Sequence, residues 1–346
     1  MILTAMSGGV DSSVAALLLQ REGHEVVGVF MRNGVAGHDL AREKSCCSAS
    51  DARDASTVAD RLGVPFYAVD YAQEFARIID HFAEEYRLGR TPNPCVLCNQ
   101  DLKFGHLFEI ADSIGAEAVA TGHYARVEDG KLYRAADQAK DQTYYLFGIE
   151  RSALPRARFP LGAMTKAEVR EVAREQDLVT AEKPESMDIC FVTSGDYRDI
   201  VRTRGGVGRE GNFVSVDGEV LGEHDGVGSF TIGQRRGLPA LGVPHYVRAI
   251  RPAEGEVVLC TADGLQDSTA FVRNCNWLVD VPSQEGIEVQ AMVRARMQPV
   301  PARLEVDPEG ETSVRLTFAD PVRAITPGQA AVFFQGDLCL GGGWID

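Results

Sequence analysis

The stretch "TPNPCVLCNQDLKFG", residues 91 to 105, carries two cysteines three positions apart, Cys95 and Cys98. Such a pair can hold a metal, form a redox couple, supply a nucleophile or fill space. The chain has eight cysteines: Cys46, Cys47, Cys95, Cys98, Cys190, Cys260, Cys275 and Cys339. A structural zinc site takes about four ligands. Cys95 and Cys98 supply two, the adjacent Cys46 and Cys47 have poor geometry for a second half, and no matching His pair exists. A redox or nucleophilic pair fits better than zinc. The thiolate is the reactive form, and a nearby cation or helix N-terminus stabilises it. Cys98 lies just before an expected helix start, with Lys103 close behind, and Cys190 in "MDICF" offers a thiol remote in sequence. Cys260, Cys275 and Cys339 sit in β-like runs, where a buried thiol acts as a small hydrophobe.

A second chemical signature stands at the front. "SGGVDSS", residues 7–13, joins an apolar run to a helical pattern. In an open parallel sheet, ligands bind outside the carboxyl ends of the strands, and a helix N-terminus offers N–H groups to an anion. Gly8 and Gly9 permit close backbone approach, Ser7, Ser12 and Ser13 bring hydroxyls, and Asp11 is placed to cap the helix or help hold a metal. A plain Gly turn with a Ser/Asp cap is the alternative. The Walker A pattern is absent. "GVGREG" (206–211) fits G-x-G-x-x-G, but lacks a strand before it and a helix after it, and reads as a surface loop.

The elements that must position these groups alternate. Strands are expected at 2–6, 25–31, 65–70 and 116–123, and helices at 11–22, 48–62, 72–88, 102–114 and 165–176, the last opened by a capping box of Thr165 and Glu168. That order implies an α/β unit with a parallel sheet covered on both faces. Beyond about residue 200 short alternating runs such as "NFVSVDGEVLG" and "AAVFFQGDLCLGG", split by Asp217-Gly218 and Pro327-Gly328, imply a small β-rich linking module followed by a barrel.

The net charge of −15 argues against broad nonspecific nucleic-acid binding, though not against a local basic surface. The only lysines are Lys44, Lys103, Lys131, Lys140, Lys166 and Lys183; every other basic side chain is Arg, a bias that genome composition would equally explain. No run of eighteen apolar residues exists, so no membrane span is expected. The N-terminus lacks the pattern of a signal peptide, so a cytoplasmic location is expected. Disulfides there are usually transient or catalytic.

The loop "SGGVDSS" after a first strand resembles the PP-loop of the N-type ATP pyrophosphatases, which cleave ATP to AMP and pyrophosphate and adenylate a substrate oxygen. "AMSGGVDSS", "GRTPNPCVLCNQDLKFG", "ATGHYAR", "KDQTYYLF", "ICF", "TIGQRRGL" and "TPGQAAVFF" followed by "CLGGG", in this order, resemble the tRNA-specific 2-thiouridylases over nearly the whole chain. The resemblance implies an adenine nucleotide alpha hydrolase-like (Rossmann-like) catalytic domain over 1–196, a central β-rich domain over 197–260 and a C-terminal β-barrel over 261–346. It implies ATP with Mg2+ as the substrate pair and adenylation of the C2 oxygen of wobble uridine 34, in tRNAs such as the Lys, Glu and Gln acceptors. Sulfur then comes from a persulfide on Cys190, and Cys98 attacks to release it and leaves a Cys98–Cys190 disulfide. The donor would be a cysteine desulfurase or a sulfur-relay protein. The family's ATP contacts fall on Ala5, Met6, Ser7, Gly8, Gly9, Val10, Asp11, Ser12, Met31 and Gly122, and Asp11 is expected to be essential for adenylation. Its target-base contacts fall on Asn93, Pro94 and Cys95, in keeping with a base flipped out of its stack. Other tRNA contacts fall on His123, Lys140, Asp141, Gln142, Arg296, Met297 and Gln329.

Taken without the resemblance, His123 and Tyr124 would pack at a strand end, Lys140 and Asp141 would form a surface ion pair, and Gln329 would be a turn residue. Many relatives carry Asp where this chain has Cys95. Three convergent thiolates, Cys95, Cys98 and Cys190, can hold an iron–sulfur cluster with one open iron site, which is a minority reading for the sulfur carrier. Two rivals remain. Another PP-loop adenylating enzyme, such as an amidotransferase-type synthetase or a lysidine synthetase, does not require the Cys98 and Cys190 pair. A metal-stapled RNA-binding adaptor has no use for the Ser-Gly-Gly loop.

Overall fold

The computed structural model describes residues 1–34, 49–185, 189–192, 195–282, 286–307 and 310–346. The chain divides into two compact units: Met1–Ile78 with Cys95–Gly195 and Asp337–Leu340, and Ile79–Pro94 with Asp196–Gly336 and Gly341–Asp346. Cys46, Cys47 and Lys44 lie outside the described residues.

The first unit is built on a parallel sheet. In chain order its elements are β1 (Ile2–Ala5), α1 (Val10–Arg21), β2 (Val26–Arg32), α2 (Ala49–Leu62), β3 (Phe66–Asp70), α3 (Ala72–Arg87, whose second half belongs to the other unit) and α4 (Pro94–Leu97). Then come a π-helical segment (Cys98–His106), α5 (Leu107–Ile114), β4 (Ala118–Ala120), β5 (Ala125–Glu128), β6 (Lys131–Arg134), β7 (Ala157–Arg158) and α6 (Lys166–Glu175). The sheet runs β3-β2-β1-β4-β7, and every pairing is parallel. All four residues of β1 are buried, as a central strand covered on both faces requires. Against it α1 packs Val14, Ala15, Leu17 and Leu19, in one core with Ala55 and Val58 of α2 and Val169 and Ala173 of α6. The order reverses between β1 and β4: the chain winds outward through β2 and β3, then returns to the other side of β1. That reversal opens a crevice at the carboxyl ends of β1 and β4.

Two expectations are refined. The strand expected over 116–123 is confined to Ala118–Ala120. The next residues must leave the sheet, because Gly122 comes against the start of α1: a Cβ on it would lie 2.6 Å from the Ser12 nitrogen. The helix expected from 102 begins earlier, at Cys98, as nine residues of π-helix before α5. This wide turn recurs at functional sites in other proteins. Gly115, at φ 72°, closes α5 in the left-handed conformation.

The second unit is mostly β. It holds α7 (Tyr197–Thr203), β8 (Gly211–Ser215), β9 (Val220–His224), β10 (Tyr246–Arg251) and β11 (Glu256–Cys260), then β12 (Gln266–Trp277), β13 (Ile287–Met292), β14 (Val300–Asp307), β15 (Gly310–Arg323), β16 (Ala330–Gln335) and β17 (Leu338–Ile345, whose start belongs to the other unit). The first four strands form a sheet in the order β10-β11-β8-β9, over a core of Phe213, Val227, Val247, Val257 and Leu259. "GVGREG" is a loop that runs directly into β8, as expected. The others follow as β12-β15-β14-β13-β16-β17, and β12 pairs again with β17, which closes a six-stranded barrel. The alternation in β14, where Ala302, Leu304 and Val306 are buried, fills the interior. No helix of the described residues is long and apolar enough to cross a membrane.

Candidate active site

The crevice is lined from below by the loop between β1 and α1. Ala5, Met6 and Val10 are buried, and the chain turns at Gly8 with φ 73°. A Cβ at Gly8 would collide with the Asp51 carbonyl, so the turn is closed to any other residue. Gly9 is the N-cap of α1 in extended conformation, and no side chain caps the helix. The first-turn N–H groups are therefore left without a side-chain acceptor. The serine hydroxyls instead hold the loop: Ser12 accepts from the Ser7 nitrogen at 3.1 Å, and Ser12 and Ser13 donate to the Gly9 carbonyl at 3.2 and 2.8 Å. Met31 stands on β2, half-buried. Gly122 closes the crevice from β4. Gly122→Ala should weaken nucleotide binding by about tenfold and cost about 1–3 kcal/mol, because rigid backbone at Asp11 and Ser12 opposes the methyl group. Nucleotide titration and thermal unfolding of this variant test that, and an unchanged affinity would sink it.

Asp11 does not cap the helix. Lys166 donates to both its carboxylate oxygens at 2.8 Å, and the Tyr124 hydroxyl donates to Oδ1 at 2.9 Å. Burial and then the Asp11 charge push the Tyr124 hydroxyl far up, so it stays a donor. Lys166 also meets Glu185 at 3.0 Å, and Lys140 reaches the same carboxylate at 2.7 Å. Burial would raise the Glu185 carboxyl, but bonds from the two lysines outweigh it and hold it below the usual range. The expected capping box sets this geometry: Thr165 and Glu168 exchange bonds, which fixes Lys166 as the first residue of α6. Across the loop, Lys183 donates to the Gly8 carbonyl at 2.9 Å and to Asp51 at 2.6 Å, and pairs with Asp54. Burial opposes its charge, but those two carboxylates raise it above an ordinary lysine.

Lys140 and Asp141 are not a surface pair. Lys140 joins Glu185, whereas Asp141 is buried against the Arg134 guanidinium and accepts from the Ala135 nitrogen and the Thr143 hydroxyl. Gln142 clamps Tyr124 through its amide oxygen and its backbone nitrogen, both at 2.9 Å. His123 is buried, with Nδ1 2.7 Å from the Thr121 hydroxyl and Nε2 3.4 Å from Lys103. Burial, then the Lys103 charge, pushes its pKa well below the usual value. An ammonium can only donate, so Nε2 accepts and Nδ1 carries the proton.

The cysteine segment sits on short helices. Asn93 and Pro94 are buried, Cys95 on α4 is exposed, and Cys98 opens the π-helical segment half-buried. Asn99 anchors that segment through a bond to the Tyr145 carbonyl at 2.9 Å. Cys190 is half-buried in a turn closed by the Val192 nitrogen on the Ile189 carbonyl. Among the described residues no three His, Cys, Asp or Glu side chains are gathered as metal ligands. In the second unit Gln329 donates to the Thr91 and Pro92 carbonyls at 2.9 and 3.3 Å, bracing the chain just ahead of Asn93 rather than serving as a bare turn residue. Arg296 is exposed at φ 60°, followed by half-buried Met297.

Lys166, Lys183, Tyr124, Glu185, Asp51 and Asp54 were not among the site residues expected from sequence. The available signal was the scarcity of lysine: three of the six lysines stand at this crevice.

Three family models match in succession: a "tRNA methyl transferase HUP domain" over residues 1–194, a "tRNA methyl transferase PRC-barrel domain" over 199–261 and an "Aminomethyltransferase beta-barrel domain" over 268–345. A tRNA-specific 2-thiouridylase MnmA of Carboxydothermus hydrogenoformans is 48% identical over 358 residues, covering 100% of this chain and 97% of that relative. Proteins of the same name from Rhizorhabdus wittichii and Rhodopirellula baltica are 47% and 43% identical, each covering 99% of this chain, and 91% and 96% of their own length. With this agreement along its full length, the chain belongs to the tRNA-specific 2-thiouridylase family.

Proposed function

We propose that the chain uses ATP to replace the C2 oxygen of the wobble uridine, position 34 of tRNA, by sulfur. The observation that carries this is the uncapped N-terminus of α1 at the sheet's switch point, ringed by Lys166 and Lys183. Such a terminus takes phosphate oxygens through its N–H groups and its dipole. In this reading ATP and Mg2+ enter over Ala5–Ser12, Met31 and Gly122. The C2 oxygen attacks the α-phosphate, pyrophosphate leaves, and the oxygen becomes part of an AMP ester. The terminal sulfur of a Cys190 persulfide then attacks C2 and AMP departs with the oxygen. The Cys98 thiolate attacks the Cys190 sulfur, the C2-bound sulfur leaves as 2-thiouridine, and Cys98 and Cys190 end as a disulfide. A two-electron thiol reductant restores both.

In the same reading Asn93, Pro94 and Cys95 receive the flipped base, and His123, Lys140, Asp141, Gln142, Arg296, Met297 and Gln329 serve tRNA binding. Asp141 and Gln142 would act mainly by holding neighbours, since their side chains are already bonded to Ala135, Thr143 and Tyr124. Nucleoside analysis of bulk tRNA from cells lacking the chain tests the class. The 2-thio group should vanish from wobble uridine and return when the gene is restored. Undiminished 2-thiouridine would overturn the reading.

A further inference from the structure

The second unit carries a cavity of 480 Å³ among Thr91, Thr231, Thr326, Gln329, Arg294 and Arg323. Its arginines lack the acid partner that most arginines of the unit have. Arg90, Arg198, Arg204, Arg248 and Arg315 each pair with Asp or Glu. Arg294 and Arg323 are exposed, and neither pairs with an acid among the described residues. Both are nevertheless held: Arg294 donates to the Arg323 carbonyl at 2.6 Å, and the Arg323 guanidinium lies 4.7 Å over the Tyr246 ring. Stacking uses the face of a guanidinium and leaves the donors along its edge.

The segment "TIGQRRGL" extends this feature. Thr231, Ile232 and Gly233 line the cavity. Gly233 turns at φ 84°, and the Gln234 side chain holds the turn by accepting from the Thr231 nitrogen at 3.2 Å and donating to the Arg236 carbonyl at 2.8 Å. The turn presents Arg235 and Arg236, both exposed and likewise without an acid partner among the described residues. A chain with net charge −15 has acids to spare for these four arginines.

We infer that this cavity and the Arg235-Arg236 turn form a seat for the RNA phosphate backbone, taking a phosphate at Arg294 and Arg323 and an adjoining one at the turn. Four arginines on three separate segments span more than one small anion needs, and a polyanion repelled by the rest of the surface requires a local cationic seat. The inference rests on the proposed tRNA thiolation.

The test uses the full chain and unmodified tRNA, with binding measured across a salt series for the wild type, R294Q/R323Q and R235Q/R236Q. The second pair sits on an exposed turn and guards against a folding defect in the first. Each variant should bind tRNA about tenfold more weakly, and the slope of log affinity against log salt should shrink by roughly 1 to 2, as loss of one or two phosphate contacts requires. ATP affinity is measured alongside to check the first unit. Unchanged slopes and affinities in both variants would overturn the inference while wild-type tRNA binding upholds the function. If inorganic phosphate raises the wild-type melting temperature, R294Q/R323Q abolishes that rise, and tRNA binding is unaffected, the site takes small anions and the RNA assignment is wrong. If the wild type itself neither binds nor thiolates tRNA, the proposed function falls first.

Discussion

Asp11→Asn and Lys166→Met are each expected to lower tRNA-dependent pyrophosphate release by about 100-fold to 1000-fold, the loss typical when one preorganised electrostatic group leaves a reacting centre. Lys166 is buried and touches two carboxylates, Asp11 and Glu185. Removing it leaves Asp11 with only the Tyr124 hydroxyl, beside a helix end that must receive a triphosphate. Removing the Asp11 charge leaves Lys166 to Glu185 alone. Because the two act through one contact, D11N/K166M should be little worse than either single variant, since coupled groups are strongly non-additive. Stability should follow a different order. Stranding a charge costs more than removing both, so the double variant should melt no lower than Lys166→Met. Pyrophosphate release and thermal unfolding of the three variants separate these effects. Full pyrophosphate release by Lys166→Met, or strictly additive losses, would remove the pair from the adenylation step.

That pair shows where sequence reading stops. The loop from Ser7 to Ser13 was legible because local chemistry announces it: two glycines, a following apolar period of 3.6 and an apolar run before. The β half was legible from alternation and turn residues, and the capping box at Thr165 and Glu168 from four letters. Lys166 lies 155 residues from Asp11, and Lys183 lies 175 from Gly8. No local period connects such positions. Only the packing of α6 on α1 and the winding of the sheet bring them together. The same blindness made Lys140 and Asp141 look like a surface pair, although one faces Glu185 and the other is buried against Arg134. The π-helical segment was missed for another reason. Its hydrogen bonds span five residues, and Phe104, Leu107, Phe108 and Ala111 keep the apolar spacing of an ordinary helix.

Cys98→Ser and Cys190→Ser should each abolish 2-thiouridine formation, whereas Cys95→Ser should retain substantial activity. The three positions differ physically. Cys95 is exposed on α4, while Cys98 and Cys190 are half-buried. Cys98 stands at the first position of the π-helical segment, next to Asn99, whose amide is tied to the Tyr145 carbonyl. That anchor fixes the backbone from which a nucleophile would act. Cys190 lies in a short turn, which suits a carrier that must be loaded by one partner and discharged to another. A disulfide between them requires Cα atoms within about 7 Å, and loops at such sites often close only with substrate bound. Serine keeps the size of each side chain but cannot carry a persulfide or form a disulfide. Cys98→Ser should therefore still release pyrophosphate with tRNA, and should stall with the tRNA joined to Cys190 through the transferred sulfur, visible as a covalent protein–tRNA adduct that a thiol reductant cleaves. Wild type after one turnover without reductant should show a Cys98–Cys190 linkage by peptide mapping. If Cys95→Ser proves as inactive as the other two, and anaerobically prepared protein carries iron and acid-labile sulfide, the persulfide relay is wrong.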